Sequence, residues 1–386
     1  MNIALVGGGL QGVETAYLAR KAGWHVTLVD RRLSLPARGL CQAFKQIDIG
    51  DGAEIKHIFE QVDLVLPALE NRVALDALVD AAKGAKTPLA FDPAAYAVTC
   101  SKAASNRLFA QLNLLLPSED GQHRGAVIVK PNSGSGSSGV RLFSSRQAAR
   151  RFLAHRPQNK PLLCQQFLDG PTFSIEVLGR PGQYRTFAVT DLFMDEAFDC
   201  KRVRAPSSLP PVHQATLAAM SHLLAEALAL TGLMDVEVVL WEDRLYVLEI
   251  DARIPSQTPT AVYWTTGVNL IELLGNLFVP RHISVARPET PKRAVVYEHI
   301  GVQQGLVHVC GESRLGRAGS LRLVADFFGC DEAITDFEKG CDAWAATLIC
   351  CGKDPAAAWR KRCAAIERIG DACNPGVVAQ PAGGSV

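Results

Sequence analysis

The chain has 386 residues, 48% of them hydrophobic, which is long enough for two or three domains with separate cores. Its 40 Lys and Arg balance 39 Asp and Glu, so no global field recruits nucleic acid or a membrane surface, and small-molecule partners are expected. The eleven cysteines nowhere take the C-x-x-C spacing of a zinc or redox site. The apolar run at the start is too short for a signal peptide, and no later run approaches the ~18 apolar residues of a membrane span. A cytoplasmic location is expected, with a homo-oligomer left open.

Residues 1–97 alternate strand and helix. Ile3 to Val6 read as a buried strand, Gly7, Gly9 and Gly12 of GGGLQG fit G-x-G-x-x-G, a helix follows, and Asp30 closes a second strand. VDLVLPALE (62–70) reads as a strand ending in Glu70, with a helix over 71–83. The pattern is that of a Rossmann-like parallel α/β domain, whose ligands sit at the carboxyl ends of the strands, where the glycine loop and Glu70 both fall. Three uses of the loop stay open. It could hold the pyrophosphate of an NAD(P)-dependent oxidoreductase, with Asp30 on the ribose or Arg31 and Arg32 on a 2′-phosphate. It could present backbone N–H groups to another anion at a helix N-terminus. Its glycines could serve packing alone.

A second region, 98–285, opens with the helix SKAASNRLFAQLNLL. The strand GAVIVKP, the loop NSGSGSSG, the strand VRLF, a short helix and PLLCQQFLDGPTFSIEVLG follow. After a polar stretch near 195–210, Val212, Leu217, Met220, Leu224 and Leu228 suit one buried helical face, stopped by Gly232. The third unit, 286–386, reads as mixed α+β, with AVVYEHIG and LVHVCG as strands, AAAWRKRCAAIERIG as a helix, and CNPGVVAQPAGGSV as a frayed tail.

The second region ends in the hairpin MDVEVVLWEDRLYVLEIDAR. Positions 237 and 249 are equidistant from Asp243, so a symmetric hairpin sets Glu237 across from Glu249. Strand period two then places Asp235, Glu237, Glu249 and Asp251 on one face. Val236, Val238, Leu240, Tyr246, Leu248 and Ile250 line the other. Like charges directly opposite destabilise a sheet, and no Lys or Thr is interleaved, so the patch calls for a counter-cation. Hard divalent ions take carboxylate oxygens and arrive with phosphates, which points to magnesium (Mg2+). In VIVKPNSGSGSSG, Lys130 ends a strand before a Ser/Gly loop able to fold over phosphates. The lysine precedes the glycines, so this is not the GxxxxGK phosphate loop.

The order of Lys102 in a helix, VKP with its Gly/Ser loop, QQFLDG, DVEVV and LYVLEIDAR resembles the ATP-grasp ligases over roughly residues 1–280. More narrowly, GGGLQGVETAYL, MDVE and EIDARIPSQTPTAVYWTTGVNLIELL are similar to the ligases that join 3-methylornithine to lysine in pyrrolysine biosynthesis. The resemblance implies an ATP-grasp core after the Rossmann-like domain, with ATP and Mg2+ as cofactors. Lys102 and Lys130 would contact the phosphates and Ser133 to Gly139 would cover them, through Ser135, Gly136 and Ser137. Gln166, Phe167 and Leu168 would meet the adenine edge. Glu237, Glu249 and Asp251 would hold two magnesium ions, and Arg253 would face the transferring phosphate. Many ATP-grasp enzymes have Asn in place of Asp251, and Glu near Thr172 for the ribose; Asp169 would take that contact here.

The implied chemistry converts a carboxylate to an acyl phosphate, which an amine then attacks. It rests on positioning and charge neutralisation, with Arg253 and Lys130 as the catalytic pair and no protein nucleophile. No GxSxG signature occurs, in agreement. Two diamino-acid substrates need acidic partners, for which Glu70, Glu176 and Asp199 are candidates. Gly9, Leu10, Gln11 and Asp30 of the first βαβ unit and Ser256, Gln257 and Thr258 after the hairpin complete the expected substrate site. A nucleotide-sensing module without catalysis would have no reason to assemble three metal carboxylates.

Overall fold

The computed structural model describes residues 1–119, 125–134, 136–155, 161–280 and 291–373. Strands β1 (Asn2–Val6), β2 (His25–Asp30), β3 (Ala43–Gln46) and β4 (Leu64–Pro67) form a parallel sheet in the order β3-β2-β1-β4. Helix α1 (Leu10–Lys21) joins β1 to β2, α2 (Gly52–Phe59) joins β3 to β4, and α3 (Arg72–Ala85) follows β4. Parallel strands covered on both faces are continuous apolar runs, and Ile3 to Val6 are all fully buried. The segment TPLAFD adds one isolated bridge, Val65 to Leu89. Asn71 caps α3 by accepting from the Ala74 amide.

Asp92 and Ser101 cap the next two helices, α4 (Pro93–Thr99) and α5 (Lys102–Gln111). A small antiparallel sheet follows, β5 (Val127–Pro131), β6 (Arg141–Phe143) and β7 (Leu162–Gln166) in the order β6-β5-β7, packed with α6 (Arg146–Ala154).

The rest of the chain builds one eleven-stranded sheet. Its first strands are β8 (Thr172–Gly179), β9 (Arg185–Thr186), β10 (Thr190–Met194) and β11 (Cys200–Ala205). Helix α7 (Pro211–Ala227) leads to the hairpin β12 (Gly232–Trp241) and β13 (Arg244–Asp251), then to α8 (Thr258–Thr266) and α9 (Leu270–Phe278). Beyond residue 290 come β14 (Ala294–Gln303), β15 (Leu306–Val309), β16 (Arg322–Ala325), β17 (Glu332–Thr335), β18 (Ala343–Gly352) and α10 (Pro355–Cys373). The main path runs β13-β12-β8-β10-β11-β14-β18-β17-β16. The polar stretch after residue 195 therefore hides β11, which pairs with β14 from Arg202 opposite Glu298 to Ala205 opposite Val295. The third unit continues the sheet of the second. Of the tail CNPGVVAQPAGGSV only Cys373 lies within the described residues.

Two local expectations change. Val212 is 68% exposed, while Leu217, Met220 and Leu224 are buried as expected. The helix ends at Ala227 with Leu228 as its cap, and Gly232 opens β12 instead of stopping α7. In the hairpin, Glu242 and Asp243 both take positive φ, the tight two-residue turn that matches strand twist. A bulge then shifts the register between Glu237 and Val238, leaving Leu248 as the extra residue. The bulge restores the expected pairs, Glu237 with Glu249 and Asp235 with Asp251. It also changes the apolar face: Leu245 and Val247 join Val236, Val238 and Ile250 in the core, and Tyr246 and Leu248 stay outside that cluster.

Candidate functional site

A cleft of about 980 Å³ opens between the parallel sheet, the hairpin and the turn after β15. Gly9, Leu10, Gln11, Asp30 and Glu70 border it on the first side, Asp235, Glu237, Glu249, Asp251 and Arg253 in the middle, and Asp199, Ser256, Gln257 and Thr258 on the far side. Residues read as one face from period two thus share one wall. Burial pushes Glu237 up to about 8, with Glu249 and Asp251 adding to it. Burial also raises Asp251 well above the usual carboxylate range against the pull of Arg253, and Asp235 behaves alike. Asp235 Oδ1 is buried without a hydrogen-bond partner.

Three cations stand around these acids. Lys102 Nζ donates to Glu249 Oε1, and to the Gly134 carbonyl at 2.8 Å. Lys130 Nζ reaches the Leu248 carbonyl at 3.5 Å, and burial depresses its pKa, with Lys102 adding to the effect. Arg253 donates to Asp251 Oδ2 at 2.8 Å and lies 3.2 Å from Glu70 Oε1. Burial opposes the Arg253 charge, but Asp251, Glu70 and Asp235 outweigh it and raise its pKa. Among the described residues no three acidic, His or Cys side chains converge as a preformed metal cage. Magnesium needs none, since it keeps waters and takes one or two carboxylates beside phosphate oxygens. An oxygen-only donor set with an orphaned buried carboxylate oxygen fits that ion.

The loop expected to cover the phosphates is described in part. Gly136 and Ser137 border the cleft, and the Ser137 hydroxyl donates to the Phe198 carbonyl at 2.5 Å. Ser135 lies outside the described residues. The Gln166 and Phe167 amides donate to the Ser118 and Ala126 carbonyls at 2.8 and 3.0 Å. Leu168 is buried and Asp169 exposed, and neither borders the cleft.

In the glycine loop, a Cβ at Gly12 would fall 2.3 Å from the Gly7 carbonyl oxygen, so this glycine is required by close packing of helix on strand. Gly9 begins α1 with open space around it. Asp30 accepts from the Gly8 amide at 3.0 Å and pairs with Arg32. Burial works against its ionisation, but Arg32 and that amide win and hold its pKa below the usual value. Glu70 accepts from the Gln11 amide nitrogen at 2.9 Å.

In and behind the cleft wall is a set of buried acids, two of which, Glu14 and Glu312, the sequence reading missed. Glu14 on α1 accepts from the Thr260 amide at 2.6 Å, and burial pushes it up to about 7. Glu176, an expected site residue, is fully buried and also pushed up to about 7; both its oxygens lack a hydrogen bond, although the Thr258 hydroxyl lies nearby. Glu176 borders the ladder opposite Asp235, behind the cleft wall and not on it. Glu312, from the turn after β15, borders the cleft and accepts from Ser256 Oγ at 2.8 Å and Gln257 Nε2 at 2.7 Å. Gln257 takes φ +72 and ψ −56, a strained conformation worth roughly 1–3 kcal/mol that persists only where surroundings enforce it. Glu14 could have been suspected as a lone acid on an apolar helix; Glu312 carries no local signal.

A family model for the ATP-grasp domain matches residues 101–257. In solved structures the whole fold recurs. An N5-carboxyaminoimidazole ribonucleotide synthetase in an ADP complex matches with TM-score 0.68 and 15% identity, covering 96% of this chain and 97% of the other. An L-amino acid ligase from Bacillus licheniformis matches with TM-score 0.66 and 18% identity, covering 90% and 93%. The fold, the domain match and the carboxylate hairpin together define an ATP-grasp ligase, an enzyme class that uses ATP and magnesium. The 3-methyl-D-ornithine–L-lysine ligase of Methanosarcina mazei is 33% identical over 316 residues, which is 81% of this chain and 82% of that protein. That of Methanosarcina barkeri is 33% identical over 300 residues, 78% and 79% of the two chains. The chain belongs to this ligase family, which sets aside the oxidoreductase reading of the glycine loop. No helix among the described residues is long and apolar enough to cross a membrane, and all eleven cysteines are free thiols.

Proposed function

We propose that the enzyme joins the carboxylate of 3-methyl-D-ornithine to the ε-amine of L-lysine in the cytoplasm, giving 3-methylornithyl-N6-lysine for pyrrolysine biosynthesis. The observation that carries this reading is the pairing of Glu237 with Glu249 and Asp235 with Asp251 on a cleft wall ringed by Lys102, Lys130 and Arg253. A donor carboxylate oxygen attacks the γ-phosphorus, the bond to the bridging oxygen breaks, and ADP leaves. The lysine nitrogen then attacks the acyl carbon, the carbon–oxygen bond to phosphate breaks, and the nitrogen loses a proton.

In this reading Lys130 and Arg253 neutralise the transferring phosphoryl group, and Lys102 leaves Glu249 to meet the nucleotide. Glu237, Glu249 and Asp251 would hold the magnesium ions, which supply charge neutralisation between ATP phosphates. Residues 133–139 cover the phosphates. Backbone groups from Gln166 to Leu168 meet the adenine edge, with the Leu168 amide as the donor because the Gln166 and Phe167 amides already donate elsewhere. Asp169 contacts the ribose. Gly9, Leu10 and Gln11 offer the start of α1 to a substrate carboxylate, with Asp30 bracing the loop through Gly8. Glu70 and Asp199, which border the cleft, balance substrate ammonium groups, while Glu176 stands behind the wall next to Asp235. The division into units 1–97, 98–285 and 286–386 belongs to the same proposal.

The test replaces lysine with hydroxylamine. 3-Methyl-D-ornithine should then yield a hydroxamate and ADP, and lysine alone should yield neither. Release of AMP would contradict an acyl phosphate, and a hydroxamate formed from lysine would reverse the substrate roles.

A further inference from the structure

The cleft is unequal in charge from side to side. Its cationic lining residues, Arg31, Arg32 and Arg253, belong to the end of β2 and to the segment after β13. The loop after β10, the segment 256–258 and Glu312 contribute acids, amides and hydroxyls and no Lys or Arg, while the turn that follows Glu312 packs at Gly316 against Leu10 of α1. Glu312 is fixed by Ser256 and Gln257, which leaves Oε1 toward the Gly136 position, 3.8 Å from where a Cβ would stand. Asp199 accepts the Ser313 amide at 3.0 Å on Oδ2, while its Oδ1 is buried with no partner. Gly311 lets the turn close on that carboxylate, since a Cβ would fall 2.2 Å from it. Gln257 Oε1 is likewise buried and unpartnered, in the strained residue whose amide nitrogen orients Glu312. Leu192, Met194 and Val203 add an apolar wall beside these groups.

We propose that Glu312, Asp199 and Gln257 Oε1 form the subsite for the terminal ammonium of the substrate whose carboxylate is activated. The inference rests on the ligase reading above and assigns one substrate within it. Both substrates are diamino acids, but only one spends its carboxylate on the phosphate. That donor presents nothing except ammonium groups and an aliphatic chain to the rest of the site, which is the complement of an acidic, cation-free wall with an apolar flank. The amine substrate keeps its α-carboxylate, and the side with the α1 N-terminus and Arg31 and Arg32 suits it. The unpartnered Asp199 Oδ1 and Gln257 Oε1 are then satisfied by N–H groups of the bound ammonium.

The experiment compares 3-methyl-D-ornithine with 2-amino-3-methylpentanoate of the same configuration, which lacks the terminal amine, by ADP release in hydroxylamine. The wild type should favour the diamine by at least 100-fold in kcat/KM. In Glu312→Gln this preference should fall at least tenfold, because turnover of the monoamine is spared, with KM for ATP and for lysine within twofold of wild type. Asp199→Asn should act in the same direction and guards against a folding defect in the first variant. Equal slowing of both donors, or a raised KM for lysine with the preference intact, overturns the assignment. A wild type that releases no ADP with 3-methyl-D-ornithine overturns the ligase reading itself, and this subsite with it.

Discussion

Replacing Glu237 with Gln should raise stability and cut turnover sharply, and both effects follow from removing one carboxylate. Glu237 lies opposite Glu249, and burial, helped by Glu249 and Asp251, keeps its proton up to about pH 8, against an ordinary value of 4.5. Between those values the folded chain binds the proton and the unfolded chain does not. Stability is therefore fully present below pH 4.5 and declines as pH rises toward 8. At ~1.4 kcal/mol per tenfold the whole interval corresponds to about 5 kcal/mol. Glu237 is partly accessible from the cleft, and solvent screening there brings the figure to about 2–3 kcal/mol. Gln keeps the shape without the proton equilibrium. The ligand-free variant should gain on wild type by about 2–3 kcal/mol between pH 5 and pH 8, or about 2–4 °C in unfolding temperature for a chain this long. The lost carboxylate should cost about 10²- to 10³-fold in ADP release, the scale of one missing charge-stabilising group. Thermal unfolding at pH 5, 6.5 and 8, with and without ATP and magnesium, checks the first part, and a coupled ADP assay the second. A stability gap that does not change with pH, or unchanged turnover, refutes the reasoning.

Glu70→Ala frees Arg253 and Gln11 from a shared partner, so KM for one amino acid should rise about tenfold or more while that for ATP stays within about twofold. An equal rise for ATP in steady-state kinetics returns Glu70 to a structural role. Gly12→Ala places a Cβ 2.3 Å from the Gly7 carbonyl oxygen, whose residue is itself tied to Val29, and should cost about 2–3 kcal/mol. Unfolding about 2–4 °C lower in a thermal scan is the expected readout, and an unchanged midpoint shows that the loop can yield.

The hairpin was legible because opposition across a strand pair depends only on parity and on the position of the turn. The bulge was not, since Leu248 differs in no local way from the apolar residues around it, and two offsetting irregularities left the carboxylate pairs where symmetry put them. Val212 fits helical periodicity, yet it sits at the first turn of α7, where the helix projects past its core. The continuity of the large sheet was hidden in β11, whose CKRVRA reads as a polar loop. Arg202 there is drawn in by Glu298, which is fully buried and also paired with Arg362. Long-range charge pairing of this kind leaves no periodic trace. Glu312 stayed invisible for a related reason: what makes it a cleft residue is its contact with Ser256 and Gln257, more than fifty positions away in the chain.

The pairing of β11 with β14 also bears on how this enzyme can be taken apart. A cut near residue 290 would look natural in a domain diagram, but it would strip β11 of its neighbour and turn an interior strand into a bare margin of unpaired amides and carbonyls. It would also leave Arg202 without Glu298 and take Glu312 out of the cleft. Recombining substrate preferences by exchanging the last hundred residues between relatives is therefore a problem of matching a strand seam, and a chimera inherits its active-site rim from whichever parent supplies that seam.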